Sequence, residues 1–253
     1  MRIVLKVGSA VLTQDGKLAL ERLRNLVDLI DKLKQKNYQV ILVSSGAVAA
    51  GFTVLQLDKS ILANKQSLAS IGQPLLMDTY RKKFGRYNII CSQVLMEASV
   101  FKDTRRLGHA QDAINNLLEN GVVPIINEND VTAVDELVFG DNDQLAAYTT
   151  HYFDAKLLVI LTDIDGYYDY NPHENKDAKL CKYVDYISDD MLKDSHTPNS
   201  EFATGGIVTK LKAAKFLLDH NSQMFLGSGF NLDNISQYLL YNVHNGGTLF
   251  RSK

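Results

Sequence analysis

VVPIINEND (122–130) sets an apolar run directly against a polar one. Residues 122–126 are apolar at successive positions, so an extended chain there buries both of its faces. That pattern belongs to a strand in a parallel sheet covered on both sides, rather than to a half-exposed antiparallel strand. The run ends in Asn127-Glu128-Asn129-Asp130. A second polar run, Gly140-Asp141-Asn142-Asp143, opens residues 144–153, which carry a helical pattern. Open α/β sheets hold their ligands just beyond the carboxyl ends of their strands. The two runs together therefore mark a candidate site for a small, charged, hydrogen-bonding molecule.

The same rhythm extends outward along the chain. Residues 3–7, 39–43, 89–95, 157–161 and 224–226 read as further strands, and 18–35, 46–55, 64–84, 104–119 and 207–219 as helices. Leu20, Leu23, Leu26, Val27, Ile30 and Leu33 recur at the spacing of one helical face. Pro74 is expected to start, bend or break the helix 64–84. Asn120-Gly121 is a helix-ending signal after 104–119. Strands alternating with helices predict a largely parallel sheet with helices on both faces. Residues 131–139 alternate like an exposed hairpin, 167–185 read as a surface excursion, and 194–206 as a lid or ligand-binding loop. With no repeat, linker or low-complexity segment, residues 1–253 are expected to form a single domain.

Composition narrows the function classes. The chain has 253 residues and 45% hydrophobic content, enough for one sizeable core. A net charge of −2 argues against nucleic acid as the main partner. Cys91 and Cys181 fit neither a disulfide framework nor a zinc site and read as reduced thiols. The six histidines show no HxxxH or HxH grouping, against a protein-held transition metal. No signal-peptide pattern opens the chain, and no apolar run approaches the ~20 residues a bilayer requires. A soluble, cytoplasmic protein with no membrane partner is the expectation.

Several segments carry groups suited to anions. Lys6-Val7-Gly8-Ser9 ends the first strand with a cation and a glycine that admits backbone N–H groups to a phosphate; it also fits an ordinary strand end. Ser44-Ser45-Gly46-Ala47 opens a helix, either as an anion site or as a serine N-cap. Asn127 to Asp130 offers two amides and two carboxylates for a cationic amine, or simply a solvated loop. Asp141-Asn142-Asp143 is also a favourable acidic helix start. Thr162-Asp163 closes a strand before Gly166 and Tyr167-Tyr168, where a nucleoside or a bare turn fits equally. Ala203-Thr204-Gly205-Gly206-Ile207-Val208-Thr209-Lys210 leads a loop into a helix. A lysine in a first helical turn is electrostatically unfavourable without a negative group nearby. The chain contains no GxxxxGK[ST], no GxGxxG after the first strand, and no HRD or DFG set.

Seven segments in order, KVGSAVLT (6–13), VSSGAVAAG (43–51), VPIINEND (123–130), FGDND (139–143), LTDIDG (161–166), ATGGIVTK (203–210) and GTLF (247–250), closely resemble the glutamate 5-kinases of the amino acid kinase family. The resemblance implies an α/β/α sandwich around a mainly parallel sheet of about eight strands. It also implies ATP-dependent phosphorylation of the L-glutamate side-chain carboxylate, with Mg2+, giving the first intermediate of proline synthesis. Lys6 and Lys210 resemble the lysines at the transferred phosphoryl group, and Asp143 the aspartate that orients both. Ser45, Gly46, Ala47, Asp130 and Asn142 match glutamate-binding positions. Gly8, Ser9, Thr162, Asp163, Thr204, Gly205, Gly206, Ile207, Val208 and Thr209, with both lysines, match the nucleotide side. The Gly8 and Gly46 backbones are expected to add donors, and the metal to ride on the phosphates with no direct protein ligand.

Some positions depart from the pattern. Ser9-Ala10 stands where the family commonly has Thr-Ser, Asn171-Pro172 where Asp-Pro is common, and Ala203 where glycine is frequent. Many relatives carry a C-terminal PUA domain, which is not expected here. Proline feedback and a homodimer or homotetramer are implied by resemblance alone. Competing readings are a kinase of N-acetylglutamate, aspartate or a nucleoside monophosphate, a non-catalytic sensor, and an RNA-binding module. Both lysines argue against the sensor, and the slightly acidic balance argues against RNA.

Overall fold

The computed structural model describes residues 1–133, 142–170, 175–193 and 206–252. Eight strands form one sheet in the order β5-β6-β4-β1-β7-β9-β10-β8. They are β1 Arg2–Val7, β4 Gln39–Ser44, β5 Cys91–Met96, β6 Val123–Glu128, β7 Leu157–Thr162, β8 Tyr183–Val184, β9 Gln223–Ser228 and β10 Thr248–Phe250. Every neighbouring pair is parallel except β9–β10. A separate two-stranded hairpin pairs β2, Thr13–Gln14, with β3, Lys17–Leu18. The helices are α1 Ser9–Leu12, α2 Leu20–Gln35, α3 Ala47–Phe52, α4 Leu62–Phe84, α5 Thr104–Glu119, α6 Asp143–Tyr152, α7 Asp189–Lys193, α8 Ile207–Asp219 and α9 Asp233–Tyr241.

Period-two alternation divides each central strand between two cores. Ile3, Leu5 and Val7 of β1 join Val40, Leu42, Val123, Ile125, Val159 and the inner faces of α2 and α4. Val4 joins Ile41, Val43, Ile126, Leu158, Ile160 and the inner faces of α5, α6 and α8. The result is the expected three-layer α/β/α arrangement, with helices covering both faces of a mainly parallel sheet. The same alternation sends Lys6 toward the α6–α8 side and Asn127 toward the α4 side. Both lie at the carboxyl edge, where β1, β4, β6 and β7 all end.

Most expected elements appear within a residue or two of their predicted ends, and 104–119 and 207–219 match the observed helices in full. Pro74 neither starts nor breaks its helix, which begins at Leu62 and runs through to Phe84. Proline deprives the carbonyl four residues earlier of its donor. That carbonyl belongs to Ser70, which is exposed, as is Pro74, so water can replace the missing bond. The expected excursion 167–185 is partly sheet: Tyr168 bridges Leu180, and Tyr183–Val184 pairs with β10 at one edge. Of the expected hairpin 131–139, residues 131–133 belong to a turn region and the remainder lies outside the described residues, as do 171–174 and 194–205.

Tight packing brings α4 against α3. A Cβ at Gly72 would overlap the Ala47 carbonyl oxygen and the Gly51 nitrogen, and a Cβ at Gly51 would overlap the Leu68 carbonyl. Two glycines facing each other's helix backbones therefore set how closely these helices approach. This fixes α4 relative to the Ser45–Ala47 turn at the sheet edge.

Candidate active site

Three charges meet at the carboxyl edge. Asp143, the first residue of α6, is fully buried, while Lys6 and Lys210 are 2% and 4% exposed. Lys6 Nζ stands 2.6 Å from Asp143 Oδ1, and Lys210 Nζ 3.1 Å from Oδ2. Thr209 Oγ1, with one proton to share, lies 3.0 Å from Asp143 Oδ2 and 2.8 Å from the Gly206 carbonyl oxygen, tying the start of α8 to the start of α6. Lys210 lies in the first turn of α8, where the helix dipole disfavours a cation. Asp143 supplies the compensating negative charge, so the position of Lys210 does not by itself require a bound anion. Among the described residues, the contacts set two cations against one carboxylate.

The turn after β4 is built differently from a serine-capped helix start. Gly46, at φ 105°, occupies the N-cap position in the left-handed region, and no side chain caps α3. A residue with a Cβ is strained there, which accounts for glycine. Ser44 Oγ instead donates to the Ser45 carbonyl and lies 2.8 Å from the Tyr80 hydroxyl. Burial pushes the Tyr80 phenol up in pKa, so it stays neutral. Ser45 Oγ accepts from Asn142 Nδ2 at 3.2 Å. Ala47 is buried at the first position of α3.

Asn142 also donates to Asn127 Oδ1 at 2.9 Å. Its own Oδ1 is buried without a hydrogen-bond partner among the described residues. Nearby in sequence, Asp130 and Glu128 are 9% and 7% exposed. Burial, and then the negative charge of Glu128, raises the Asp130 carboxyl to about 7. A carboxyl so desolvated favours a cation that restores its charged form.

On the other flank, Thr162 Oγ1 donates to Asp163 Oδ1 at 2.9 Å. The Gly8 N–H donates to the Leu161 carbonyl at 3.0 Å. That corrects the expectation of a free Gly8 donor: the sheet already uses it. Ser9 is exposed at the start of α1. Gly206, Ile207, Val208 and Thr209 enter α8 next to Lys210, whereas Thr204 and Gly205 lie outside the described residues. Among the described residues, no group of three or more His, Cys, Asp or Glu side chains is arranged to hold a metal.

Sequence reading missed Gln73 of α4, whose Oε1 accepts from Asn127 Nδ2 at 3.0 Å. It is 8% exposed. A signal was present: Gln73 lies among Leu68, Ala69, Gly72, Leu76 and Tyr80, which are buried, so a polar side chain interrupts an otherwise apolar face.

Residues 1–228 match the amino acid kinase family. The chain belongs to that family. It is 50% identical over 253 residues to the glutamate 5-kinase of Wolinella succinogenes, covering 98% of this chain and 97% of the relative. It is also 50% identical over 252 residues to the glutamate 5-kinase of Leishmania donovani, covering 100% and 95%. The glutamate 5-kinase of Thermoanaerobacter sp. (strain X514) is 43% identical over 256 residues, covering 99% of this chain and 68% of that relative. An isopentenyl phosphate kinase structure shares the fold with a TM-score of 0.66 at 16% identity, covering 99% of this chain and 100% of the other. No described helix is long and apolar enough to cross a membrane.

Proposed function

We propose that this chain catalyses ATP-dependent phosphorylation of L-glutamate at its side-chain carboxylate, forming L-glutamyl 5-phosphate for proline synthesis. The observation that carries the reading is the carboxylate of Asp143 holding Lys6 and Lys210 together, next to the hydrogen bond from Asn142 to Ser45. The near-full-length likeness to glutamate 5-kinases supports the choice of acceptor.

Glutamate and ATP are both anions, so their repulsion is the first obstacle. The acceptor carboxylate is already ionised near neutral pH and needs no general base. Its oxygen forms the new bond to the γ-phosphorus as the bond to the ADP oxygen breaks, and ADP leaves with that electron pair. Lys6 and Lys210 flank the transferring group and offset charge as it redistributes. Asp143 holds both ammonium groups through charge-assisted contacts. Asp130 takes the α-ammonium of glutamate, with Ser45, Gly46, Ala47 and Asn142 around the amino acid. Ser9, Thr162, Asp163 and Gly206 through Thr209 are assigned to the nucleotide side.

Mg2+ is assigned to the ATP phosphates, and Asp143 is left to the two lysines that it contacts. Bound there, it would supply positive charge that offsets the charge of the phosphates. The test is ATP turnover against a panel of amino acids with hydroxylamine present to trap an acyl phosphate. Glutamate-dependent hydroxamate is the expected product. Turnover only with N-acetylglutamate, aspartate or a nucleoside monophosphate would overturn the assignment.

A further inference from the structure

Four side-chain amides form one directed chain beneath the acceptor pocket. Asn142 Nδ2 donates to Asn127 Oδ1 at 2.9 Å, Asn127 Nδ2 to Gln73 Oε1 at 3.0 Å, and Gln73 Nε2 to Gln93 Oε1 at 3.1 Å. Each inner amide accepts through its oxygen and donates onward through its nitrogen. The orientation of one therefore fixes the orientation of the next. The chain runs from the N-cap of α6, through β6 and α4, to β5.

One end of this chain is incomplete. Both Asn142 N–H groups are engaged, one by Asn127 and one by Ser45, while Asn142 Oδ1 is buried with no partner among the described residues. A buried carbonyl oxygen without a donor is costly, and beside a substrate site a ligand N–H can supply that donor. An isolated asparagine amide can turn over and offer N–H groups instead, which would repel a cation. Within the chain, such a turn places nitrogen against nitrogen at the Asn127 contact unless every partner turns as well.

We propose that Gln73 is a positioning residue for the acceptor substrate: through Asn127 it holds the Asn142 amide with Oδ1 facing a cationic N–H donor. The inference rests on the amino acid kinase reading above and adds a residue outside all seven recognised segments. The fold explains why Gln73 can serve. Alternation along β6 turns Asn127 toward α4, and the close approach of Gly72 to Ala47 fixes where the next residue of α4 sits. Gln73 thus links the spacing of two helices to the direction of one substrate contact.

Gln73→Leu keeps the size of the side chain and removes both of its hydrogen bonds. The expected result is a glutamate KM raised about fivefold to tenfold, with kcat and the KM for ATP changed by less than about twofold. Gln73→Glu supplies the discriminating rescue. A protonated, buried carboxyl accepts from Asn127 and donates to Gln93, as the glutamine does. Protonated or ionised, it keeps an acceptor toward Asn127, so the glutamate KM should stay within about twofold of the parent's at every pH. Glutamate-induced thermal stabilisation should follow the same order across the variants.

An unchanged glutamate KM in Gln73→Leu, or an equal rise in both KM values, would overturn the inference. If Gln73→Leu does not fold, a Gln73→Glu variant that folds but shows a fivefold or greater rise in glutamate KM would overturn it instead, because the acceptor for Asn127 is still present. If the unsubstituted protein neither turns over nor is stabilised by glutamate, the kinase reading falls and this inference falls with it. Turnover by the parent with indifferent Gln73 variants removes only the relay.

Discussion

Lys6 and Lys210, from the first strand and from a helix late in the chain, share the two oxygens of one carboxylate. Their nitrogens stand 2.6 Å and 3.1 Å from opposite oxygens of Asp143. Both are nearly buried, so water does little to screen them. Lys6→Ala or Lys210→Ala should lower kcat by on the order of 10²-fold or more. Single-turnover measurement at saturating ATP and glutamate checks this. Near-normal kcat in both variants would reject the two-lysine scheme. Asp143→Asn should also reduce kcat while costing about 3–5 kcal/mol in stability, because it removes the carboxylate charge that both buried cations contact. A urea titration reads that second effect.

The raised Asp130 carboxyl gives a pH dependence with a definite sign. Its folded pKa is about 7 against an ordinary value of 3.8, with burial as the leading cause and Glu128 second. Between those values the folded protein holds a proton that the unfolded chain has released, so stability from this group falls as pH rises from about 4 to 7. Glutamate binding runs the other way. The α-ammonium requires the ionised carboxylate, so the glutamate KM should rise as pH drops below about 7, by up to about tenfold per unit. Asp130→Asn should weaken glutamate binding and flatten both profiles. A pH-dependent KM that survives unchanged in that variant would assign the titration elsewhere.

The contact between α3 and α4 predicts a coupled loss of stability and substrate affinity. A Cβ on Gly72 has no room beside the Ala47 carbonyl and the Gly51 nitrogen, which are backbone atoms that cannot rotate away. Gly72→Ala must therefore push α4 outward, at about 1–3 kcal/mol. The displacement acts on Gln73 and on the Ser45–Ala47 turn together, so the glutamate KM should rise while the KM for ATP holds. Gly85→Ala, at a position with open space around the added Cβ, is the control and should change neither.

The fold was legible because most strands are apolar at successive positions and most helices announce themselves by spacing. Residues 123–126 and 157–161 are buried on both faces, as their composition requires. Strands β8 and β10 were harder: two or three residues each, their pairing depends on partners distant in sequence rather than on local pattern. At the site, Lys6, Asp143 and Lys210 were readable from the motifs that contain them, and the structure brings them together. Gln73 was not, because its meaning depends on Asn127, far along the chain and across a helix–sheet contact. Nor could the sequence tell that Gly8 spends its N–H on the Leu161 carbonyl.

Pro74, immediately after Gln73, separates two ways of placing the relay. The helix continues through it although the Ser70 carbonyl receives no N–H from this position, and both residues face solvent. Restoring the missing donor by Pro74→Ala should stabilise the protein, by about 1 kcal/mol rather than the full ~3 kcal/mol of a buried interruption, since water already reaches the carbonyl. The glutamate KM should stay within about twofold of the parent's, because Gly72 and Gly51 already fix α4 against α3 and a surface hydrogen bond adds little to that constraint. Urea denaturation and steady-state kinetics on the same variant decide the matter. A stabilised protein with a raised glutamate KM would mean that the proline itself, by shaping the helix just past Gln73, sets the reach of that side chain to Asn127.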